Sequence, residues 1–239
     1  MSKRFLVLQH MPWEGPGRHL IHSAKKRKVR LEIVQVWHQP IPDIRSYDGL
    51  IVLGGSPNVD QENQYHYLRI EKETIHRVLD QDKPCLGFCL GHQIMAEALG
   101  VTIGPNFCRS VGFIEGYLTR YGRSHPMFRG ISRSFPLFKW HAQAVLPPLP
   151  KEIQVLVTSA ECQAEAISVE GRPHVVGLQF DNQSATCSDV GQWLESDQKW
   201  LSQPPGVDTG VVLQDAKKHE ALMGEQFELM FTNYIELIF

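Results

Sequence analysis

Gly87-Phe88-Cys89-Leu90-Gly91, running directly into His92 and Gln93, is the stretch from which the rest of the chain is read. An apolar run ends at Cys89 and a helical pattern begins at once. The spacing therefore predicts a thiol on a sharp strand-to-helix turn with its sulfur exposed, the geometry of a nucleophile elbow. Glycines two residues either side suit a turn whose backbone angles and close approaches a Cβ would obstruct. A helix starting there aims free N–H groups and the positive end of its dipole at the sulfur, which favours the reactive thiolate. For the five-residue pattern alone, a buried structural cysteine at a strand end is an equal reading; the surrounding sequence favours the nucleophile.

Outward from the elbow, strands and helices alternate. Phe5 to Leu8 reads as a short buried strand ending at Gln9 and His10, followed by a Pro12–Gly17 loop and a helix through about Lys26. Val29 to Val36 and Ser46 to Leu53 read as the next strands, the latter stopped by Gly54-Gly55-Ser56-Pro57, a run with strong loop chemistry. Tyr65 to Leu79 has helical periodicity, and Lys83-Pro84 opens the strand that leads to Cys89. This alternation implies a parallel sheet covered on both faces, with ligands gathering at the carboxyl ends of its strands. The first strand end, the Gly54–Pro57 loop and the elbow then share one rim. Beyond Gly100 the pattern changes to extended pieces at 111–118, 154–157, 164–169 and 175–180 that return to or extend the sheet. A helical tail over about 189–239 follows, with a connector at 204–210 and a final helix at 211–237. No repeat or linker interrupts the chain, so residues 1–239 read as a single domain.

Composition excludes several classes. With 42% apolar and 21% charged residues over 239 positions, the chain has the make-up of an ordinary globular protein. A net charge of −2 gives no nucleic-acid surface, and the Lys25–Arg30 cluster reads as a solvated helix end. Five cysteines, at 85, 89, 108, 162 and 187, have no zinc-ligand spacing and read as reduced thiols in a cytoplasm. The apolar N-terminal run is too short for a signal peptide or a membrane span. No metal or organic cofactor is expected.

Several segments together resemble the class I glutamine amidotransferase family. Gly54-Gly55-Ser56-Pro57 resembles its glycine-rich oxyanion loop, and Gly87 to Gln93 its nucleophile elbow. Trp140-His141-Ala142-Gln143-Ala144-Val145 with Leu149-Pro150 resembles its W/S-H-G-D-x-V…L-P segment. Cys162-Gln163-Ala164 and Val176 to Phe180 resemble the strands leading to its last catalytic block. The resemblance runs from His10 to Gln183. It implies an α/β, flavodoxin-like fold with a mainly parallel central sheet and helices on both faces. It also implies an activity in which a cysteine attacks the side-chain amide of glutamine, forms a γ-glutamyl thioester and releases ammonia. Carried over by position, Cys89 is the nucleophile, the backbone N–H groups of Gly55 and Leu90 form the oxyanion hole, and Gln93 helps grip the substrate. The chain further resembles members described as GMP-synthase-like. It carries no ATP-binding synthetase motif, so an ammonia acceptor would be activated by a separate synthetase or acceptor protein.

One block departs from the family. Where the pattern is Q-F-H-P-E, this chain reads Gln179-Phe180-Asp181-Asn182-Gln183, so Asp181 replaces the catalytic histidine and Gln183 the glutamate that orients it. A carboxylate with an ordinary pKa of roughly 3.9 is poorly matched to a thiol near 8.5. Once ionised it cannot protonate a departing amine, and its charge disfavours the thiolate. Gln183 can orient a neighbour but cannot stabilise an imidazolium. The family's aspartate and glycine after W-H are likewise Gln143 and Ala142. His141 is a candidate replacement base; His92 points away from the sulfur on helical geometry, and His174 falls at the opposite end of the sheet. Three readings follow: an impaired glutaminase, a non-catalytic module that binds a small amide or a protein, or another cysteine hydrolase such as a γ-glutamyl peptidase using His141. Glutamine or a related small amide is the expected ligand.

Overall fold

The computed structural model describes residues 3–239. β1 (Lys3–Gln9), α1 (Arg18–Lys26), β2 (Val29–Gln35), β3 (Gly49–Val52), α2 (Tyr67–Asp80), β4 (Cys85–Phe88) and α3 (Leu90–Ala98) form the alternating first half. β5 (Thr102–Leu118), α4 (Arg120–Ser124), β6 (Ser134–Leu146), β7 (Ile153–Ser159), β8 (Ala166–Val169) and β9 (Arg172–Leu178) follow. The tail consists of α5 (Cys187–Ser196), α6 (Gln198–Leu201) and α7 (Thr209–Ile238). All nine strands join one sheet in the order β2-β1-β3-β4-β9-β8-β7-β5-β6. The run β2-β1-β3-β4-β9 is parallel, which is the doubly wound order of flavodoxin-like sheets with β9 as its fifth strand. From β9 outward every pairing is antiparallel.

Period-two alternation explains the two main cores. Leu6, Leu8, Leu50 and Val52 face α2 and α3 through Leu68, Ile75 and Ile94. Phe5, Val7 and Ile51 face α1 and α7 through Leu20, Phe227, Phe231 and Tyr234. Burial on both sides is why these strands read as unbroken apolar runs. The last helix therefore packs within the chain, with Phe227, Met230, Tyr234 and Ile235 buried and Leu229 exposed. The Lys25–Arg30 cluster is exposed apart from Val29, with Lys26 and Arg27 paired to Glu228 and Glu236 of α7. Among the described residues no helix is long and apolar enough to cross a membrane.

The second half differs most from the sequence reading. β5 starts at Thr102, nine residues earlier than the expected 111, and β6 runs through the whole Trp140–Val145 segment. Pro105 disguises the start of β5, where a register shift between Pro105 and Ser110 absorbs the irregularity, while Gly112 and Gly116 lie within the expected 111–118 strand. Lys139 also disguises β6. It is fully buried and paired with Glu165, whose other oxygen accepts a 2.6 Å bond from Ser159. The third strand begins at Gly49 rather than Ser46, because Ile44–Ser46 forms a 3-10 turn capped by Asp43. β9 ends at Leu178, which leaves Gln179 to Gln183 beyond the strand.

A third apolar cluster joins Phe138 and Trp140 of β6 to Val190 and Trp193 of α5, Leu201 of α6 and Ala216 of α7. It folds the tail across the carboxyl edge of the sheet, beside the elbow. At that edge the chain has no spare room: a Cβ on Gly91 would lie 2.2 Å from the Val52 carbonyl oxygen, and one on Gly87 2.6 Å from the Gly91 backbone. Gly191, within α5, faces open space. Gly91→Ala is accordingly expected to lower stability by about 1–3 kcal/mol through overpacking. Gly191→Ala is expected to raise it by roughly 0.5–1 kcal/mol; urea unfolding of the two variants measures both.

Candidate active site

Cys89 caps α3 with φ 44° and ψ −105°, a left-handed conformation that a side chain adopts only when its surroundings enforce it. Its N–H is tied to the Leu178 carbonyl of β9 at 2.8 Å, and its carbonyl starts the helix by accepting from Gln93 at 3.0 Å. The expectation of an exposed sulfur is corrected: Cys89 is 6% exposed and opens only onto a cleft of ≈ 190 Å³. The thiol donates to the Trp140 carbonyl at 3.8 Å.

The Gly54–Pro57 loop forms one wall. Its orientation comes from a pair that sequence reasoning left unassigned. His10, at the end of β1, is fully enclosed; Nδ1 donates to the Gly54 carbonyl at 2.8 Å and Nε2 to Glu71 of α2 at 2.7 Å. Burial opposes charge on this ring, but Glu71 and the Gly54 carbonyl outweigh it, so its pKa is raised. In a trans peptide the Gly55 N–H lies anti to the Gly54 carbonyl, so holding that carbonyl turns the N–H away from His10. Among the described residues no protein acceptor engages it. The Leu90 N–H, at the free end of α3, approaches the Cys89 sulfur. Gln93 of α3 donates to the Gln143 carbonyl at 2.9 Å and to Gln179 Oε1 at 3.1 Å, bracing the turn against β6 and the segment after β9.

Asp181 faces the thiol. The space above Gly54 is bounded by Asp181 Oδ1, Cys89 Cβ and Glu14 Oε2, at 3.3, 3.4 and 3.6 Å from where a Cβ would sit. Oδ1 accepts from Gln183 Nε2 at 2.9 Å, while Oδ2 is buried without a hydrogen-bond partner. Burial drives the Asp181 pKa to about 7, against the pull of Gln183, Lys139 and Cys89. The ordinary carboxylate value used in reading the sequence therefore does not hold. Glu14 is pushed to about 8 by burial and by Asp197 and Asp181, although Ser56 donates to it at 2.9 Å. Burial, Asp181 and Glu14 raise the Cys89 thiol well above its ordinary value, overriding the helix terminus.

His141 lines the same cleft. Its Nδ1 donates to the Gln143 carbonyl at 2.8 Å, leaving Nε2 as a lone pair with no partner. Burial and Lys139 lower its pKa well below the usual value, so it is a weak base. His92 is enclosed against Gly177 and held neutral, its pKa lowered to about 3 by burial and Lys139. His174 pairs with Asp82 at 3.1 Å, at the start of β9 and far from the carboxyl edge. Sequence reasoning missed Glu14 and the tail's contribution of Trp193, Asp197 and Trp200. Trp140 Nε1 donates to Asp197 at 2.7 Å, which fixes the tail against β6. Among the described residues no group of three His, Cys, Asp or Glu side chains could hold a metal ion.

This arrangement can be set beside known proteins. The sequence model described as glutamine amidotransferase class-I matches residues 17–181. The chain belongs to that family. Within the class I amidotransferases it is 34% identical over 170 residues to the glutamine-hydrolyzing GMP synthase subunit of Methanothrix thermoacetophila, covering 70% of this chain and 82% of that protein. The corresponding protein from Archaeoglobus fulgidus is 29% identical over 168 residues, covering 70% of this chain and 82% of the relative. A crystal structure of a glutamine amidotransferase from Thermotoga maritima superposes with a TM-score of 0.88, covering 99% of both chains at 20% identity. A second, from Methylobacillus flagellatus, gives 0.84 at 18% identity, covering 99% of this chain and 95% of that one. At these identities the two structures speak for the amidotransferase fold alone.

The raised Asp181 pKa has a measurable sign. Between its unfolded value near 3.8 and about 7, the native protein holds a proton that the unfolded chain has released, so Asp181 costs stability as pH rises. Asp181→Asn is expected to gain on wild type by roughly 1.4 kcal/mol per pH unit between pH 5 and 6.5. Parallel urea unfolding curves at the two pH values measure the difference, in which the histidine contributions cancel.

Proposed function

We propose that this amidotransferase cleaves a small amide, glutamine or a close relative, through a Cys89 thioester, with Asp181 moving the proton that a histidine moves in the family pattern. The observation that carries this reading is the Asp181 carboxyl group facing the thiol, held on one oxygen by Gln183 and free on the other. Sγ attacks the amide carbon as its proton passes to Asp181 Oδ2. The developing oxyanion is stabilised by the N–H groups of Leu90 and Gly55, and Asp181 returns the proton to nitrogen as the C–N bond breaks. A water then attacks the thioester, giving its proton to Asp181, and the acid leaves with the thiol restored. Gln93 positions the acyl group. A single domain, with its tail as one wall, suffices for these steps.

A carboxyl near 7 is closer to its task than an ordinary aspartate, yet it takes a proton from a thiol raised well above 9. The reaction is therefore slow, by a factor on the order of a thousand or more relative to a nucleophile–histidine site. The relatives are named as glutamine-hydrolyzing GMP synthase subunits, which supports glutamine as the acyl donor and a separate protein as ammonia acceptor. Five free cysteines support a reducing cytoplasm.

The protonated thiol between two carboxyls also favours a second reading, a module that binds the amide without turning it over. Ammonia release from glutamine separates the two. Slow release that Cys89→Ser abolishes, Asp181→Asn lowers at least tenfold and His141→Asn leaves within about threefold is the expected pattern. Loss in His141→Asn with retention in Asp181→Asn would instead assign the base role to His141 and a peptidase-like reaction. Asp181→His with Gln183→Glu is expected to raise release at least tenfold; no release from any of these proteins selects the binding module.

A further inference from the structure

The charge and chemistry of the cleft wall go beyond what amide cleavage requires. Three carboxyl residues, Glu14, Asp181 and Asp197, line it with three indoles, Trp140, Trp193 and Trp200, and no lysine or arginine is on the wall. Two buried cations lie behind the wall, and each is already paired: His10, whose charge Glu71 holds, and Lys139 with Glu165. His141 is held neutral by burial. Arg109, which stacks on Trp200 at 5.4 Å, has its guanidinium committed to the carbonyls of Trp200, Gln203 and Pro205. An anionic ligand would thus meet carboxyls and indole faces with no compensating side-chain charge. Asp181 is 1% exposed with Oδ2 unpartnered, so one acceptor is already desolvated and free.

We infer that the cleft beside Cys89 recognises an organic ammonium group, and that the preferred ligand is a small molecule carrying an alkylammonium against the Trp140–Trp193–Trp200 wall. Indole faces attract cations, and they do so most strongly where water is excluded. The three rings pack on one another, with Trp140 5.6 Å from Trp193 at 70° and 6.1 Å from Trp200 at 43°, giving a rigid, angled surface. Arg109 over Trp200 shows that this indole takes a cation on its face. The carboxyls supply acceptors for ammonium N–H groups, and the tryptophans suit the alkyl carbons beside them, a pairing that a hydrated metal ion would not use. A bound cation favours the ionised forms of Glu14 and Asp181 and offsets their charge at the Cys89 thiol. Ammonium recognition stands without turnover; only its consequence for substrate choice rests on the amide-cleaving reading.

The test uses n-butylammonium, n-butanol and butyrate, which share a chain and differ in charge, with binding to the full-length protein followed by ligand-observed NMR. The expected result is that n-butylammonium binds at least tenfold more tightly than either of the others. Glu14→Gln with Asp197→Asn should erase the preference, and Trp200→Leu should weaken n-butylammonium about fivefold. Equal binding of butanol, tighter binding of butyrate, or no binding of any of the three overturns the inference. The three-probe comparison on the unmodified cleft decides even where the double variant fails to fold. A second arm compares kcat/KM for two γ-glutamyl amides of equal length, one ending in an ammonium and the other in a methyl group. A tenfold preference for the first supports the inference, whereas equal turnover overturns it and spares the amide-cleaving reading. Selective n-butylammonium binding without turnover of either amide upholds ammonium recognition and removes the amide-cleaving reading instead.

Discussion

The chain can turn from β4 into α3 at Cys89 because nothing projects from the residues two before and two after it. Gly87 and Gly91 touch neighbouring backbone where a Cβ would stand, and the bend pushes Cys89 itself into positive φ. A residue held in that conformation costs of order 1–3 kcal/mol, which the packed strands on either side offset. Leu178 grips the Cys89 N–H and Leu53 accepts from Gly91 at 3.1 Å, so the turn is clamped by both strands adjoining β4. The position of the sulfur, the aim of the Leu90 N–H and the reach of Gln93 all follow from this clamp.

Around that fixed sulfur the electrostatics run opposite to those of an activated thiol. Burial and two carboxyls hold the proton on sulfur, and the helix terminus is too weak to counter them. The same burial moves Asp181 into the range where a carboxyl can both accept and donate protons near neutrality. Loss of the family histidine is thus accompanied by an environment that changes what its replacement can do. Burial first, and then the charge of the enclosed Lys139, keep His92 and His141 neutral, and the same lysine lowers Asp181 against its burial.

The first half of the fold was legible because β1, β3 and β4 are covered on both faces and read as apolar runs punctuated by glycine and proline. The elbow was legible because glycine spacing reports backbone geometry directly. The start of β5 and the course of β6 were obscured by Pro105 and the buried Lys139, each of which mimics a strand end until its partner across the sheet is known. Asp181 could be located from its place after Gln179-Phe180, but its acidity could not, since burial depends on elements far away in sequence. Trp193, Asp197 and Trp200 had no signal at all. They read as an ordinary amphipathic tail, and only the cluster with Phe138 and Trp140 brings them over the site. His10 just before the first loop and Glu14 within it lacked any pattern that distinguishes a buried charge from a solvated one.

The recessed position of Cys89 has a consequence for how this protein would be handled at the bench. Electrophiles that report on cysteines react with accessible thiolates, and Cys108 and Cys187 are the partly exposed thiols here, while Cys85, Cys89 and Cys162 are buried. Alkylation of the native protein would therefore modify two bystanders before the residue of interest, and a stoichiometry taken from such a reaction would describe the periphery of the fold. Selective derivatisation of the elbow calls for a reagent shaped to the cleft or for prior replacement of both peripheral cysteines.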